Sequence, residues 1–350
     1  MGFTPIHIQE WVNYKQPFVL LDVRSEGEYA HAHIPQAINL PLFNNEERKI
    51  VGTTYKQQSR QLAIKKGLDY FGPKMNQIVG TVEEACTQAN TQTVVVHCWR
   101  GGMRSAAIAW LLDIYGFKVY TLKGGYKTFR NWVLAQFNKT YPLQIIGGFT
   151  GSKKTEIIHA LKKIGEAAID LEAIAQHKGS AFGHLGMPQQ CSAEMMENKL
   201  ALELYYTLEQ LPHTTTKLIY VESESQRIGN NNLPQAFYNQ IKNAPYTFIE
   251  VPFENRLEHI VQQYGSFETK DLIAAILRIQ KRLGGLATKQ AINFLLEKDI
   301  TRCFTILLQY YDKYYTKSSR DNRTNINTLA VTNETPTDIA HLLLKNITHE

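Results

Sequence analysis

LLDVRSEGEYAHAHIPQAINLP, residues 20–41, decides how the first third of this chain is read. It completes FVLLDVR, residues 18–24, whose apolar run is continuous rather than alternating, as in strands buried on both faces of a sheet. A polar, helix-compatible stretch follows and ends in a His33-Ile34-Pro35 turn. Working outward, TVVVHC (93–98) predicts a second strand, SAAIAWLLDIYG (105–116) a helix with one apolar face, and KVYTL (118–122) a third strand. Strands interleaved with helices predict an α/β fold with a parallel sheet, and sites in such folds collect at the carboxyl ends of the strands. Cys98 stands at such an end.

The 350 residues exceed what one hydrophobic core usually organises, so a second unit is expected. It begins near residue 142, where YPLQIIGGF gives a strand and KTEIIHALKKIG the helix after it; EAAIDLE, KLIYVES and YTFIEVP predict further strands. From about residue 255 the pattern turns helical, with DLIAAILRIQKRLG and QAINFLLEKDITRCFTILLQYYDKYY separated at Gly284 and Gly285. Units at 8–136 and 142–254 and a helical extension at 255–350 are therefore expected.

A net charge of +6 gives a mild pull toward anionic partners. No stretch reaches the length of a membrane span and the N-terminus lacks a signal pattern, so a cytoplasmic protein with no membrane role is expected. Cys86, Cys98, Cys191 and Cys303 show neither CxxC pairing nor a His at zinc-ligand spacing, so no disulfide framework and no metal site is expected from them.

HCWRGGMRS, residues 97–105, puts a thiol directly after a strand, then a glycine loop, then a helix start. Loop amides, the helix dipole and Arg104 would lower the pKa of Cys98, and a thiolate is the working nucleophile. The same cradle of Arg100, Gly101, Gly102, Arg104 and Ser105 would hold an oxyanion. Five residues separate Cys98 from Arg104, the HCx5R arrangement of cysteine-dependent phosphatases and equally a lengthened rhodanese loop. The upstream stretch 20–41 resembles the rhodanese signature through Asp22, Arg24, Glu28, Tyr29, His33, Ile34 and Pro35, so Asp22 and Arg24 become supports of that domain. No dedicated general acid for a leaving alcohol is visible.

GGFTGSKKT, residues 147–155, fits G-x-x-x-x-G-K-[ST] from Gly148 to Thr155 at every fixed position except the second glycine, where Lys153 stands. If that position is left-handed, a side chain there costs about 1–2 kcal/mol. Gly148, Thr150, Gly151, Ser152, Lys154 and Thr155 are the candidate diphosphate cradle, with the amides of Thr150 to Ser152 as donors and Thr155 on phosphate or magnesium. An accompanying acid could be Glu222 or Asp170. The Gly-punctuated loop with His177, Lys178 and Ser180 reads as a binding loop.

VGTTYKQQSRQLAIKKGL (51–68), HCWRGGMRS, TLKGGYKTFR (121–130), DLEAIAQHKGSAFGHLG (170–186) and VESESQRIGNNNLP (221–234), in this order, resemble stretches of the tRNA 2-selenouridine synthase family. The resemblance implies a rhodanese-like parallel-sheet domain followed by a P-loop NTPase-like α/β domain with a helical C-terminal extension. It also implies replacement of sulfur by selenium in a wobble 2-thiouridine of tRNA, through an S-geranyl intermediate. Selenophosphate and geranyl diphosphate would be substrates, magnesium a possible companion and no cofactor tightly bound, with Cys98 carrying selenium as a Cys–Se adduct. Phe149, Phe182 and Leu185 are candidates for a prenyl groove. Lys281, Arg282 and the run YYDKYYTKSSR (310–320) are candidates for contact with tRNA. Two rival readings are a cysteine-dependent phosphatase, and a non-catalytic rhodanese docking module that would tolerate loss of Cys98.

Overall fold

The computed structural model describes residues 2–211, 214, 216–315 and 326–347. The chain divides into two compact units, Met1–Ala135 and Gln136–Glu350.

In the first unit five parallel strands lie in the order Thr4–Ile6, Lys118–Leu122, Thr93–His97, Val19–Asp22, Ile38–Asn39. The middle strands are valine- and leucine-rich because helices cover the sheet and leave no polar face to present. Helices Met75–Gln88 and Met103–Tyr115 put Val82, Ile108 and Leu112 into one core with Leu21, Val94 and Val96. The register pairs Asp22 with His97, so Cys98 emerges where two buried strands end together. Between Ile38–Asn39 and helix Met75–Gln88 the chain inserts two helices, Asn45–Gln57 and Arg60–Phe71. Asn44 and Ser59 start them, each accepting the amide three residues on.

The five-stranded sheet of the second unit is again all parallel, in the order Ile326–Ala330, Tyr246–Glu250, Leu143–Gly148, Ile219–Glu222, Ala168–Ile169; a separate short antiparallel pair joins Arg227–Ile228 to Asn231–Asn232. All six residues of Leu143–Gly148 are buried, and helix Lys154–Lys163 packs Ile157, Ile158 and Leu161 into the same core as Ile146. This α/β arrangement is the expected one, with one correction at the C-terminus. Residues 255–350 are not helical throughout. Helices Phe253–Tyr264, Thr269–Leu283, Gly285–Leu296 and Ile300–Tyr315 come first; then Ile326–Ala330 joins the sheet as its edge, and helix Pro336–Ile347 sends Ile339, Ala340 and Leu343 into the core. An edge strand with no fully buried residue carries almost no hydrophobic pattern, so INTLA read as tail. The break at Glu297–Asp299 was equally silent: no Gly or Pro marks it, Lys298 takes a φ of 62°, and Asp299 caps the next helix through the amide of Arg302 at 3.0 Å. Among the described residues no helix is long and apolar enough to cross a membrane.

Candidate functional site

Cys98 lies one residue beyond strand Thr93–His97, with its side chain buried. The amide of Gly102 donates to Sγ at 3.3 Å and the Ser105 hydroxyl lies 3.3 Å away. The loop can curl this tightly because Gly101 has φ +64°; a Cβ there would sit 2.9 Å from the Leu122 carbonyl oxygen. Gly125 clamps it from outside: the amides of Tyr126 and Lys127 donate to the carbonyls of Cys98 and Trp99 at 2.8 and 3.0 Å, and a Cβ on Gly125 would lie 2.3 Å from the Cys98 carbonyl oxygen. Burial pushes the Cys98 thiol up, but the Ser105 hydroxyl and amide, the Gly102 amide and the Arg104 charge outweigh it, so the net shift is downward. The rate of Cys98 alkylation by iodoacetamide is therefore expected to inflect below the ordinary thiol value of about 8.5, and Ser105→Ala to move the inflection up. An unmoved inflection in Ser105→Ala would show that the hydroxyl does not stabilise the thiolate.

Arg104 is not a free anion donor. Its Nη1 binds Glu28 Oε2 at 2.8 Å, and Arg48 Nε reaches the same oxygen at 3.1 Å. Burial raises the Glu28 carboxyl, yet Arg104 more than compensates and brings it down to about 2. Asp22 and Arg24 form a buried bidentate pair, with Arg24 Nη2 also donating to the Ala32 carbonyl at 2.8 Å and its guanidinium 3.8 Å from the centre of the Tyr126 ring. They brace the strand end and line no part of the pocket at Cys98. Arg100 is exposed at the mouth of that pocket.

In the second unit the loop after Leu143–Gly148 has the expected phosphate-loop shape. Gly148 has φ +151°, and a Cβ there would collide with Ser152 Oγ at 2.3 Å. Lys154 Nζ donates to the Gly148 carbonyl at 3.1 Å, and the Thr155 hydroxyl donates to Glu172 Oε2 at 2.9 Å. One donor assignment changes: the Ser152 amide closes a turn on the Phe149 carbonyl at 3.1 Å, which leaves the amides of Thr150 and Gly151 together with the first-turn amides of helix Lys154–Lys163 as the candidate cradle. Lys153 is left-handed, φ 59° and ψ 30°, the conformation a glycine takes without cost. Lys153→Gly is expected to stabilise this unit by about 1 kcal/mol, whereas Lys153→Ala, which keeps the Cβ, stays within about 0.5 kcal/mol. Urea unfolding of the two variants compares them directly, and equal stability would dismiss the strain.

Thr150, Gly151, Ser152, Lys154, Thr155, Lys178 and Ser180, far apart in sequence, line one pocket of about 280 Å³. Other candidates fall outside it. Asp170 caps helix Leu171–Ala175 through the Ala173 amide at 2.7 Å and pairs with His159 at 2.6 Å. His177 is buried and absent from the lining. Phe149 packs edge-on against Phe248, and Leu185 is in the helical core; of the three prenyl-groove candidates only Phe182 reaches the pocket. Glu172, Glu224, His259, Tyr264 and Phe304 also line it, and nothing local in the sequence distinguishes them; Tyr311 lines it too. Tyr311, a candidate for base stacking, accepts the Ala181 amide at 3.3 Å, and burial pushes its hydroxyl up to about 12. The rest of that run, Thr316–Arg320, and the side chains of Tyr314 and Tyr315 lie outside the described residues. Lys281 and Arg282 are exposed in the last turn of Thr269–Leu283.

Beneath the pocket is a row of carboxylates. Glu222 Oε1 accepts the Glu172 amide at 2.9 Å, while its Oε2 is buried with no hydrogen-bond partner among the described residues. Burial, then Asp170, Glu172 and Glu224, pushes Glu222 well above the carboxylate range; burial and Glu172 push Glu224 to about 8.

A model of the tRNA 2-selenouridine synthase AAA domain matches residues 141–348, and one of the rhodanese-like domain matches residues 8–131. This chain belongs to the tRNA 2-selenouridine synthase family. The tRNA 2-selenouridine synthase of Sulfurovum sp. (strain NBC37-1) is 33% identical over 346 residues, covering 88% of this chain and 90% of that one. The Nitrosomonas europaea synthase is 34% identical over 255 residues, 70% of this chain and 63% of its own. That of Bdellovibrio bacteriovorus is 33% identical over 317 residues, 82% of each chain. Of the five stretches that resemble the synthase family, HCWRGGMRS and TLKGGYKTFR make the cysteine loop and its clamp. DLEAIAQHKGSAFGHLG and VESESQ contribute to the phosphate pocket. VGTTYKQQSRQLAIKKGL falls in the inserted helices beside Cys98.

Proposed function

We propose that this chain replaces the sulfur at carbon 2 of a wobble 2-thiouridine in tRNA by selenium from selenophosphate, after geranyl diphosphate has alkylated that sulfur. The observation that carries the reading is the pairing, in one chain, of a thiol in an amide-lined loop with a phosphate loop whose pocket has an apolar wall.

In the phosphate-loop pocket the thiouridine sulfur attacks the geranyl carbon, the carbon–oxygen bond breaks and diphosphate leaves. Lys154 and the first-turn amides of Lys154–Lys163 offset the charge of the departing group, and Phe182, Phe304 and Leu307 meet the prenyl chain. The residues fit magnesium. Thr155 and Glu172 would hold it with the diphosphate, and the buried Glu222 oxygen, which has no partner among the described residues, is a polar atom that a nearby cation would favour. When bound, the ion would neutralise the diphosphate.

The exchange itself is redox-neutral, since selenium in selenophosphate stands at the oxidation level of the sulfur it replaces. A cysteine–selenium adduct would raise that level and need an oxidant, so the carrier role gives way to attack on phosphorus. The Cys98 thiolate bonds to phosphorus, the phosphorus–selenium bond breaks, and hydroselenide leaves as a weak base that needs no general acid. Hydroselenide adds at carbon 2, the bond from that carbon to the geranylated sulfur breaks, and geranylthiol departs with the proton. Water then releases phosphate from Cys98.

Purified protein given thiolated tRNA, geranyl diphosphate and selenophosphate should yield 2-selenouridine by nucleoside mass spectrometry. Omitting selenophosphate should stop at S-geranyl-2-thiouridine. Selenouridine formed without geranyl diphosphate would reject the intermediate.

A further inference from the structure

The inserted helices Asn45–Gln57 and Arg60–Phe71 bury little of their own apolar surface. The first buries only Thr54. Tyr55, Ile64 and Leu68 are 52%, 40% and 57% exposed, and across from them Trp99 and Met103 are 40% and 51% exposed. Contiguous apolar surface left open to water costs stability and marks a binding site. These five side chains converge on one pocket of about 750 Å³ that ends at Cys98. That volume belongs to sites that enclose ligands far larger than an inorganic oxyanion, so selenophosphate alone does not account for it.

The rim has the opposite character. Arg48 and Arg104 are tied to Glu28, while Lys49, Lys56 and Arg100 are exposed and free of ion pairs among the described residues. An apolar body with a cationic mouth, closed at one end by a nucleophile, fits a ligand whose greasy group hangs from a polyanion. We infer that this pocket of the first unit holds the S-prenyl chain of the geranylated uridine during the selenium step, with the phosphates of the tRNA at Lys49, Lys56 and Arg100. The inference rests on the geranylated intermediate proposed above. It assigns the pocket a specificity role: the chain seats the nucleotide so that carbon 2 meets hydroselenide beside Cys98, and the unalkylated thiouridine lacks that anchor.

The test uses the whole protein with selenophosphate and two preformed substrates, tRNA carrying S-geranyl- or S-methyl-2-thiouridine. Both leave as aliphatic thiols of similar acidity, so their ratio of kcat/KM reports chain recognition rather than leaving-group chemistry. Wild type should prefer geranyl by at least about 100-fold, since each buried methylene adds to binding. Leu68→Ala and, separately, Ile64→Ala should cut that preference by about tenfold or more through KM. Both should leave Cys98 alkylation and the geranylation of thiolated tRNA at wild-type rates, which shows the fold intact. Undiminished preference in both variants would overturn the pocket assignment while leaving the intermediate standing. A wild type with no preference would likewise overturn the pocket alone, and one that cannot convert the geranylated substrate would overturn both.

Discussion

Cys98→Ala should abolish selenium incorporation and let S-geranyl-2-thiouridine accumulate. The substitution removes the thiol held by the Gly102 amide and the Ser105 hydroxyl, and leaves the phosphate-loop pocket untouched. Geranylation persists because its nucleophile is the substrate's own sulfur and its leaving group is diphosphate, so no enzyme thiol takes part in the bond being made. Loss of the nucleophile should lower selenouridine formation by at least about 10³-fold, the scale on which removing a covalent catalyst acts. Chromatography of nucleosides after incubation with both small substrates reads the two products at once. Selenouridine made at a normal rate by the mutant would return the first unit to a docking role. Loss of both products would mean that the two steps share one site.

Lys154→Ala should do the reverse. Its ammonium sits at the turn that would receive diphosphate, resting on the Gly148 and Phe149 carbonyls at 3.1 and 3.4 Å. Without it the departing diphosphate loses a charge partner in a confined pocket, and geranylation should fall by about 10²–10³-fold. Two controls belong to the same preparation: alkylation of Cys98, and selenation of preformed S-geranyl tRNA, both at wild-type rates. Geranylation that survives Lys154→Ala would make this loop a strand-to-helix joint, with Lys153 marking its departure from nucleotide binding.

The cysteine loop and the phosphate loop were legible in the sequence for a common reason: each is a strand, a glycine turn and a helix start within about ten residues, so backbone conformation and chemistry are written together. Gly101 and Gly148 could be anticipated from their loops, and Lys153 could be suspected of a left-handed backbone before the structure gave it φ 59°. The reading failed where the signal was not local. Arg104 looks like a free donor until the fold brings Glu28 from 76 residues away, and INTLA looks like tail until Tyr246–Glu250 offers it an edge. His177 and Leu185 have the residue types of a binding loop, but packing turns them inward. Most of all, the walls of both pockets are tertiary. Tyr264, Phe304 and Leu307 meet the phosphate loop only after about a hundred residues of intervening chain, and Ile64 and Leu68 meet Cys98 across an inserted helix pair. Sequence alone placed a thiol at a strand end, a glycine-rich strand-to-helix loop and the parallel α/β class, because those depend on short-range geometry. Which apolar side chains stay exposed, and so what each pocket can hold, was decided only when distant segments packed and left some of their surface unburied.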